Sequence, residues 1–118
     1  MQKDLLESLS IKMSDKKIRG GSLIARALRD KGIENVFTLS GGFCNPALEG
    51  LMECQIDVIN CPHEQIAGHI ADGHTRITRK PAVCLVGPEG FANAVPSMME
   101  AWGERSPVIF ITGSSSLR

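Results

Sequence analysis

Glu64 is the residue in this chain best placed for acid–base chemistry. It lies in the run Cys61-Pro62-His63-Glu64-Gln65-Ile66-Ala67-Gly68-His69-Ile70-Ala71-Asp72-Gly73-His74-Thr75-Arg76, directly after Asp57-Val58-Ile59-Asn60. Residues 57–60 read as a buried strand that Pro62 ends. Glu64 then falls in the first turn of a helix whose small residues Ala67, Gly68 and Ala71 permit close packing. An acid in a first turn also complements the helix dipole, a purely structural role. What favours chemistry is the company it keeps. Two glycine-rich loops, 40–46 and 87–90, are expected at the same strand ends, and a carboxylate sheltered among them can hold or donate a proton.

The other reactive residue types fit familiar chemistries poorly. His63 and His69 are six residues apart, whereas a helical zinc pair needs a spacing of four to face one ion, so no metal site is expected. His69 and His74 read as packed or surface histidines, and Asp72 as a helix-packing or surface-pair residue. Ser40-Gly41-Gly42 and Gly87-Pro88-Glu89-Gly90 match neither G-x-G-x-x-G nor G-x-x-x-x-G-K-[ST], and no lysine is placed to hold a phosphate. They serve as tight turns, or as places where backbone can approach a flat ring closely. Gly113-Ser114-Ser115-Ser116 lacks the spacing of a nucleophile elbow, and no histidine follows it.

The elements that position Glu64 follow from periodicity. Residues 22–31 form a helix with Leu23, Ile24, Ala27 and Leu28 on one face, and Gly32 stops it. A strand over 36–39 leads into the glycine loop, where Asn45 can cap a helix with Pro46 in its first position. The strand–loop–helix unit recurs: strand 57–60 and a helix to about 77, then strand 82–86 and a helix over about 92–104. A last strand covers 108–112. Met98, Met99 and Trp102 share helical spacing and are expected in the core or at a subunit contact. Apolar strands alternating with helices predict an α/β three-layer sandwich, with a mostly parallel sheet and helices on both faces. In such sheets ligands lie beyond the carboxyl ends of the strands, the edge shared by Glu64 and both glycine loops. Residues 1–16, including a helix drawn over 2–13, read as a leader of uncertain order, and 17–118 as the domain. The last strand has no helix after it, so the domain is expected to be incomplete at its C-terminus.

Bulk properties narrow the partners. The chain has 118 residues, 42% hydrophobic and 22% charged, with 13 basic residues balancing 13 acidic ones, which gives no basic patch for nucleic acid and no polybasic membrane tail. No apolar run approaches the roughly 20 residues of a membrane-spanning helix. Cys44, Cys54, Cys61 and Cys84 form no C-x-x-C pair, so reduced thiols and a cytoplasmic location are expected.

Taken together, residues 21–32, 36–42, His63-Glu64-Gln65 with Ala71-Asp72-Gly73 and Arg76, 87–93, and Ala101-Trp102 through Pro107 to Gly113 resemble a known family. It is the amino-terminal, pyrimidine-binding (Pyr) domain of thiamine diphosphate enzymes of the acetolactate synthase, benzaldehyde lyase and oxalyl-CoA decarboxylase type. The resemblance gives Glu64 the part of the family's glutamate, which hydrogen-bonds a ring nitrogen of the cofactor's aminopyrimidine. A carboxyl group there favours the imino tautomer, whose exocyclic nitrogen takes the thiazolium C2 proton and so creates a nucleophilic ylid that attacks 2-keto acids. By the same resemblance Gly41 and Gly42 lie nearest cofactor or substrate, and residues 87–93, with Gly90 and Asn93, beside the pyrimidine edge.

Two departures stand out. Gly41-Gly42 replaces a frequent Pro-Gly, and Gly87-Pro88-Glu89-Gly90 carries an extra Glu89 within Gly-Pro-Gly. The family's diphosphate is held through Mg2+ by a second (PP) domain with Gly-Asp-Gly and Asn-Asn motifs that this chain lacks, and FAD belongs to some full-length members. The resemblance therefore implies a partner PP domain in cis or trans, a homodimer or higher homo-oligomer, and no activity by this chain alone. The competing expectation is a non-catalytic dimerising or regulatory α/β module that keeps the fold without the cofactor.

Overall fold

The structure, a computed structural model, describes residues 17–114. The leader expected over 1–16, with its helix, lies outside the described residues. Helix α1 (Gly20–Asp30) precedes strand β1 (Asn35–Thr38), and a short 3-10 turn, Gly42–Cys44, runs into α2 (Asn45–Glu53). Then come β2 (Asp57–Asn60), α3 (Glu64–Thr78), β3 (Ala82–Val86), α4 (Phe91–Gly103) and β4 (Val108–Thr112).

All four strands are parallel, in the order β2-β1-β3-β4. Strand side chains alternate between faces, and two cores result. Val36, Val83 and Leu85 meet Ala25 and Leu28 of α1 and Leu51 of α2 on one face. Phe37, Ala82, Cys84 and Val86 meet Ala67 and Ala71 of α3 and Ala94 of α4 on the other. Helices cover both faces, as the alternation of elements predicts. All five residues of β3 are buried because it is flanked by β1 and β4 within the sheet and by helices above and below. Full burial of such a side chain is worth roughly 1.5–3 kcal/mol.

The chain crosses from β1 to β2 in one direction and from β3 to β4 in the other, so the sheet order reverses between β1 and β3. At that switch point the connections leave on opposite faces and a crevice opens at the carboxyl ends. Buried Thr38 spans the two strands there, its hydroxyl donating to the Leu85 carbonyl at 2.6 Å.

Three expectations need correction. Residues 57–60 form the expected strand, but it is an edge strand with Asp57, Ile59 and Asn60 exposed, since α3 leaves it to cover β1 and β3. In α1 the buried stripe is Gly21, Ser22, Ala25 and Leu28, while Leu23 and Ile24 are exposed. Backbone contact sets that rotation. A Cβ on Gly21 would lie 1.8 Å from the Pro46 carbonyl oxygen, and one on Gly50 would lie 2.5 Å from that of Gly21. Asn45 is the first residue of α2 rather than its cap; Cys44 holds the cap position without a side-chain hydrogen bond.

Candidate functional site

At the carboxyl edge, the Cys61 amide bonds the Thr38 carbonyl at 2.7 Å, which continues the ladder one residue past β2 and ties the approach to α3 onto β1. His63 is extended and caps α3, its Nδ1 accepting the Gln65 amide hydrogen at 3.1 Å. With Nδ1 occupied as an acceptor, the proton of the neutral ring is on Nε2, which lies 3.9 Å from Glu64 Oε2.

Glu64 opens α3, and its side chain is only 14% exposed. Asn93, from the first turn of α4, donates through Nδ2 to Glu64 Oε2 at 3.2 Å. Gly90 makes room for the acid: a Cβ there would stand 2.3 Å from Glu64 Oε1 and 2.7 Å from its carboxyl carbon. The backbone of Gly90 has an ordinary conformation, φ −82°, so glycine is required by space and not by torsion. The structure thus gathers Glu64, Gly90 and Asn93 into one contact across the starts of α3 and α4.

Gly41 and Gly42 belong to the other wall. Side chains added at either would meet nothing within 4 Å, so this pair keeps the rim clear. Gly42 and Phe43, from the loop after β1, and Glu89, from the loop after β3, line a cleft of about 380 Å3. It lies at the switch point of the sheet, the place where open α/β sheets take ligands. Gly113, beyond β4, closes on this region, since a Cβ there would be 3.1 Å from that of Phe43. The motif reading missed Phe43 as a lining residue; its position beside the glycine pair was the available signal. The rim loops 38–45, 60–64, 86–93 and 112–114 carry Glu64 and Glu89 and no lysine or arginine.

The thiols nearby are unsuited to nucleophilic work. Burial pushes the Cys84 thiol up to about 12, with the charges of Cys61 and Glu64 adding to it. Burial also raises Cys61 and Cys44 above the usual thiol range. Behind the site, buried Asp72 receives two hydrogen bonds from Arg76, of 3.1 and 2.7 Å, and Arg76 reaches on to Glu100 of α4 and to Glu104, which caps that helix. Asp72 therefore fastens α3 to α4 and does not touch the cleft. His74 packs against Phe37 with ring centroids 5.5 Å apart, and His69 lies 3.4 Å from Gln65.

The outer sides of α3 and α4 are apolar. Ile77 is 86% exposed, Trp102 78% and Met99 62%, and Ile66, Ile70 and Phe91 are also exposed. Trp102 and Met99 are thus not core residues. Among the described residues no helix is long and apolar enough to cross a membrane.

The family described as "Thiamine pyrophosphate enzyme, N-terminal TPP binding domain" matches residues 18–118. The acetolactate synthase large subunit of Mycobacterium tuberculosis is 38% identical over 97 residues, which span 81% of this chain and 18% of that protein. The mouse 2-hydroxyacyl-CoA lyase 2 is 36% identical over 115 residues, 95% of this chain and 18% of that protein. Among solved structures, benzoylformate decarboxylase from Polynucleobacter necessarius superposes with a TM-score of 0.71 at 21% identity, covering 84% of this chain and 19% of that one, a likeness of fold. The chain thus spans less than a fifth of the length of these relatives. A parallel sheet whose carboxyl edge presents a sheltered glutamate, joined to a family match over nearly the whole chain, establishes that this protein belongs to the N-terminal TPP-binding domain family of thiamine pyrophosphate enzymes.

Proposed function

We propose that this chain supplies the pyrimidine half of a thiamine diphosphate site in an enzyme acting on 2-oxo acids, by carboligation or decarboxylation of the acetolactate synthase kind. The observation that carries the reading is the Glu64 carboxylate, sheltered at the carboxyl edge, resting on the Gly90 main chain and accepting a hydrogen bond from Asn93. Glu64 holds a proton at the aminopyrimidine ring nitrogen. Asn93 fixes which carboxylate oxygen is left to do so, and Gly90 lets the acid lie flat against the turn. Gly41 and Gly42 leave space for the ring and for substrate on the opposite wall. When bound, thiamine diphosphate supplies an electron sink that lets a 2-oxo acid lose carbon dioxide and its acyl carbon pass to a second carbonyl.

Among the described residues those at the rim fit the pyrimidine end of the cofactor and not its diphosphate, because the described rim loops carry no lysine or arginine to receive it. A PP domain, in cis or trans, holds the diphosphate with Mg2+; FAD belongs to the complete enzyme if it follows the acetolactate synthase pattern. The exposed apolar side of α3 and α4 supports association into a homodimer or higher oligomer. Four free thiols support a reducing location, the cytoplasm.

The test is Glu64→Gln in the protein assembled with its diphosphate-holding domain. Positioned acid–base groups contribute about 10²–10⁴-fold to rate. Turnover should fall by about that factor with the melting temperature unchanged, and near-normal turnover removes Glu64 from the mechanism.

A further inference from the structure

His63 touches the sheltered acid, and the reading above leaves it without a role. It caps α3 through Nδ1, which accepts the Gln65 amide hydrogen at 3.1 Å. An imidazole that accepts through Nδ1 is neutral and carries its proton on Nε2. That nitrogen lies 3.9 Å from Glu64 Oε2, the same oxygen that Asn93 Nδ2 reaches at 3.2 Å. Two N–H groups, one from the approach to α3 and one from α4, therefore converge on Oε2. Oε1 lies over the Gly90 turn and has no hydrogen bond among the described residues. A separation of 3.9 Å is longer than a hydrogen bond, but contacts of this kind in catalytic sites tighten as ligands bind.

The surroundings make the protonation of this ring consequential. Among the described residues Glu64 is the charged group paired with it; α4 sends only uncharged Asn93, and Glu89, in the turn before α4, makes no hydrogen bond or ion pair with it. The other imidazole of the first turns, His69, lies 3.4 Å from the Gln65 side chain. A proton added at His63 Nδ1 would face the Gln65 amide hydrogen, donor against donor, and the cap would be lost. It would also set a positive charge beside Glu64, which favours the carboxylate anion. The acid would then surrender the proton that it holds at the aminopyrimidine ring nitrogen.

We propose that His63 is a positioning residue for Glu64. In its neutral form the Nε2–H joins Asn93 in holding Oε2, so that Oε1 is the oxygen turned to the ring nitrogen; in its protonated form it disarms the site. This inference rests on the thiamine diphosphate reading above.

The experiment follows kcat and KM for a 2-oxo acid against pH in the protein assembled with its diphosphate-holding domain. Wild type should lose about tenfold in kcat per pH unit on an acid limb that begins between about pH 5 and 8, where imidazoles titrate. Asparagine caps helices well and cannot titrate there, so His63→Asn should abolish that limb with the fold intact. At pH 8 its kcat should be lower by about three- to tenfold, as the loss of one ordinary hydrogen bond gives, with KM changed less than about twofold. His63→Ala, which also loses the cap, should melt earlier and likewise lack the limb, whereas His69→Asn should keep it. A second readout needs no activity. In long-range 1H–15N spectra of the full 118-residue chain at pH 8, His63 should carry its proton on Nε2, and the Gln65 amide resonance should move on acidification in wild type and in His69→Asn but not in His63→Asn. An acid limb that is absent from wild type, persists in His63→Asn or vanishes in His69→Asn overturns the inference, as does a His63 ring protonated on Nδ1 at pH 8. Glu64→Gln run alongside separates the failures. If that variant is inactive while His63→Asn keeps the limb, only the role of His63 falls. Full activity in Glu64→Gln removes the cofactor reading and this inference with it.

Discussion

At the scale of single residues, the space around Glu64 matters as much as its charge. Gly90→Ala puts a methyl group 2.3 Å from Glu64 Oε1, so the carboxylate must leave its bed on the turn. Since Gly90 has φ −82°, alanine is tolerated by the backbone and the harm is confined to the acid's position. Turnover in the assembled enzyme should drop by about 10–100-fold, as small misplacements of a catalytic group do, while the midpoint of urea unfolding moves little. Asp72 offers the contrasting case of a charge that works only for stability. Hydrogen bonds from Arg76, foremost, hold its carboxyl below the usual aspartate range despite its burial. A depressed folded-state value means that the stabilisation is present above the unfolded value, about 3.9, and is lost as pH falls through the folded one. Asp72→Asn should cost about 1–3 kcal/mol at pH 7, and urea titrations should show the gap to wild type closing as pH falls below the unfolded-state value. The place of Glu64 at the start of α3 was legible in the sequence because a strand, a proline and a small-residue helix bracket it. The partnership with Asn93 was not, since 29 positions separate the two and only the fold joins them.

At the scale of elements, small residues decide how closely helices approach. Gly68 of α3 lies against Ser97 of α4: a Cβ would fall 1.9 Å from Ser97 Oγ and 2.6 Å from its Cβ. Gly68→Ala must therefore push α4 outward and carry Asn93 away from Glu64. It should destabilise the fold by about 1–3 kcal/mol, as overpacking does. Ser97→Gly in the same chain removes both clashing atoms, so the double variant should recover part of the loss, a coupling that a double-mutant cycle in urea reads directly. Strands β3 and β4 were read correctly to the residue because their apolar runs end abruptly in glycine or proline contexts. The phase of α1 was misread for the same reason that Gly68 matters. Leu23 and Ile24 look like the buried face on hydrophobicity, but Gly21 and Gly50 bring two backbones together and turn those leucine and isoleucine side chains outward. Likewise, β2 has the composition of an interior strand, and only the order of strands puts it at the edge.

At the scale of the molecule, charge and apolar surface both point outward to something that completes the site. Among the described residues the rim loops hold two carboxylates and no lysine or arginine, so a diphosphate meets no basic side chain on those loops. Calorimetry with thiamine diphosphate and Mg2+ should show no binding tighter than about millimolar to the 118-residue chain, whereas micromolar affinity would reveal a phosphate site elsewhere on it. The apolar side of α3 and α4 makes a second demand. Ile77, Met99 and Trp102 are each more than 60% exposed, and large apolar side chains left open on neighbouring helices are candidates for an interaction site. Trp102 is the chain's single tryptophan, so its fluorescence reports this surface without labelling. Emission from the dilute chain should be that of a water-exposed indole and should shift to the blue as concentration rises and copies associate through these helices. Replacing Ile77 and Met99 with glutamate should abolish the shift while leaving circular dichroism unchanged, because neither side chain belongs to the core. A shift that persists in that double variant would place the contact on another surface, and the edge strands β2 and β4 would be the next to test.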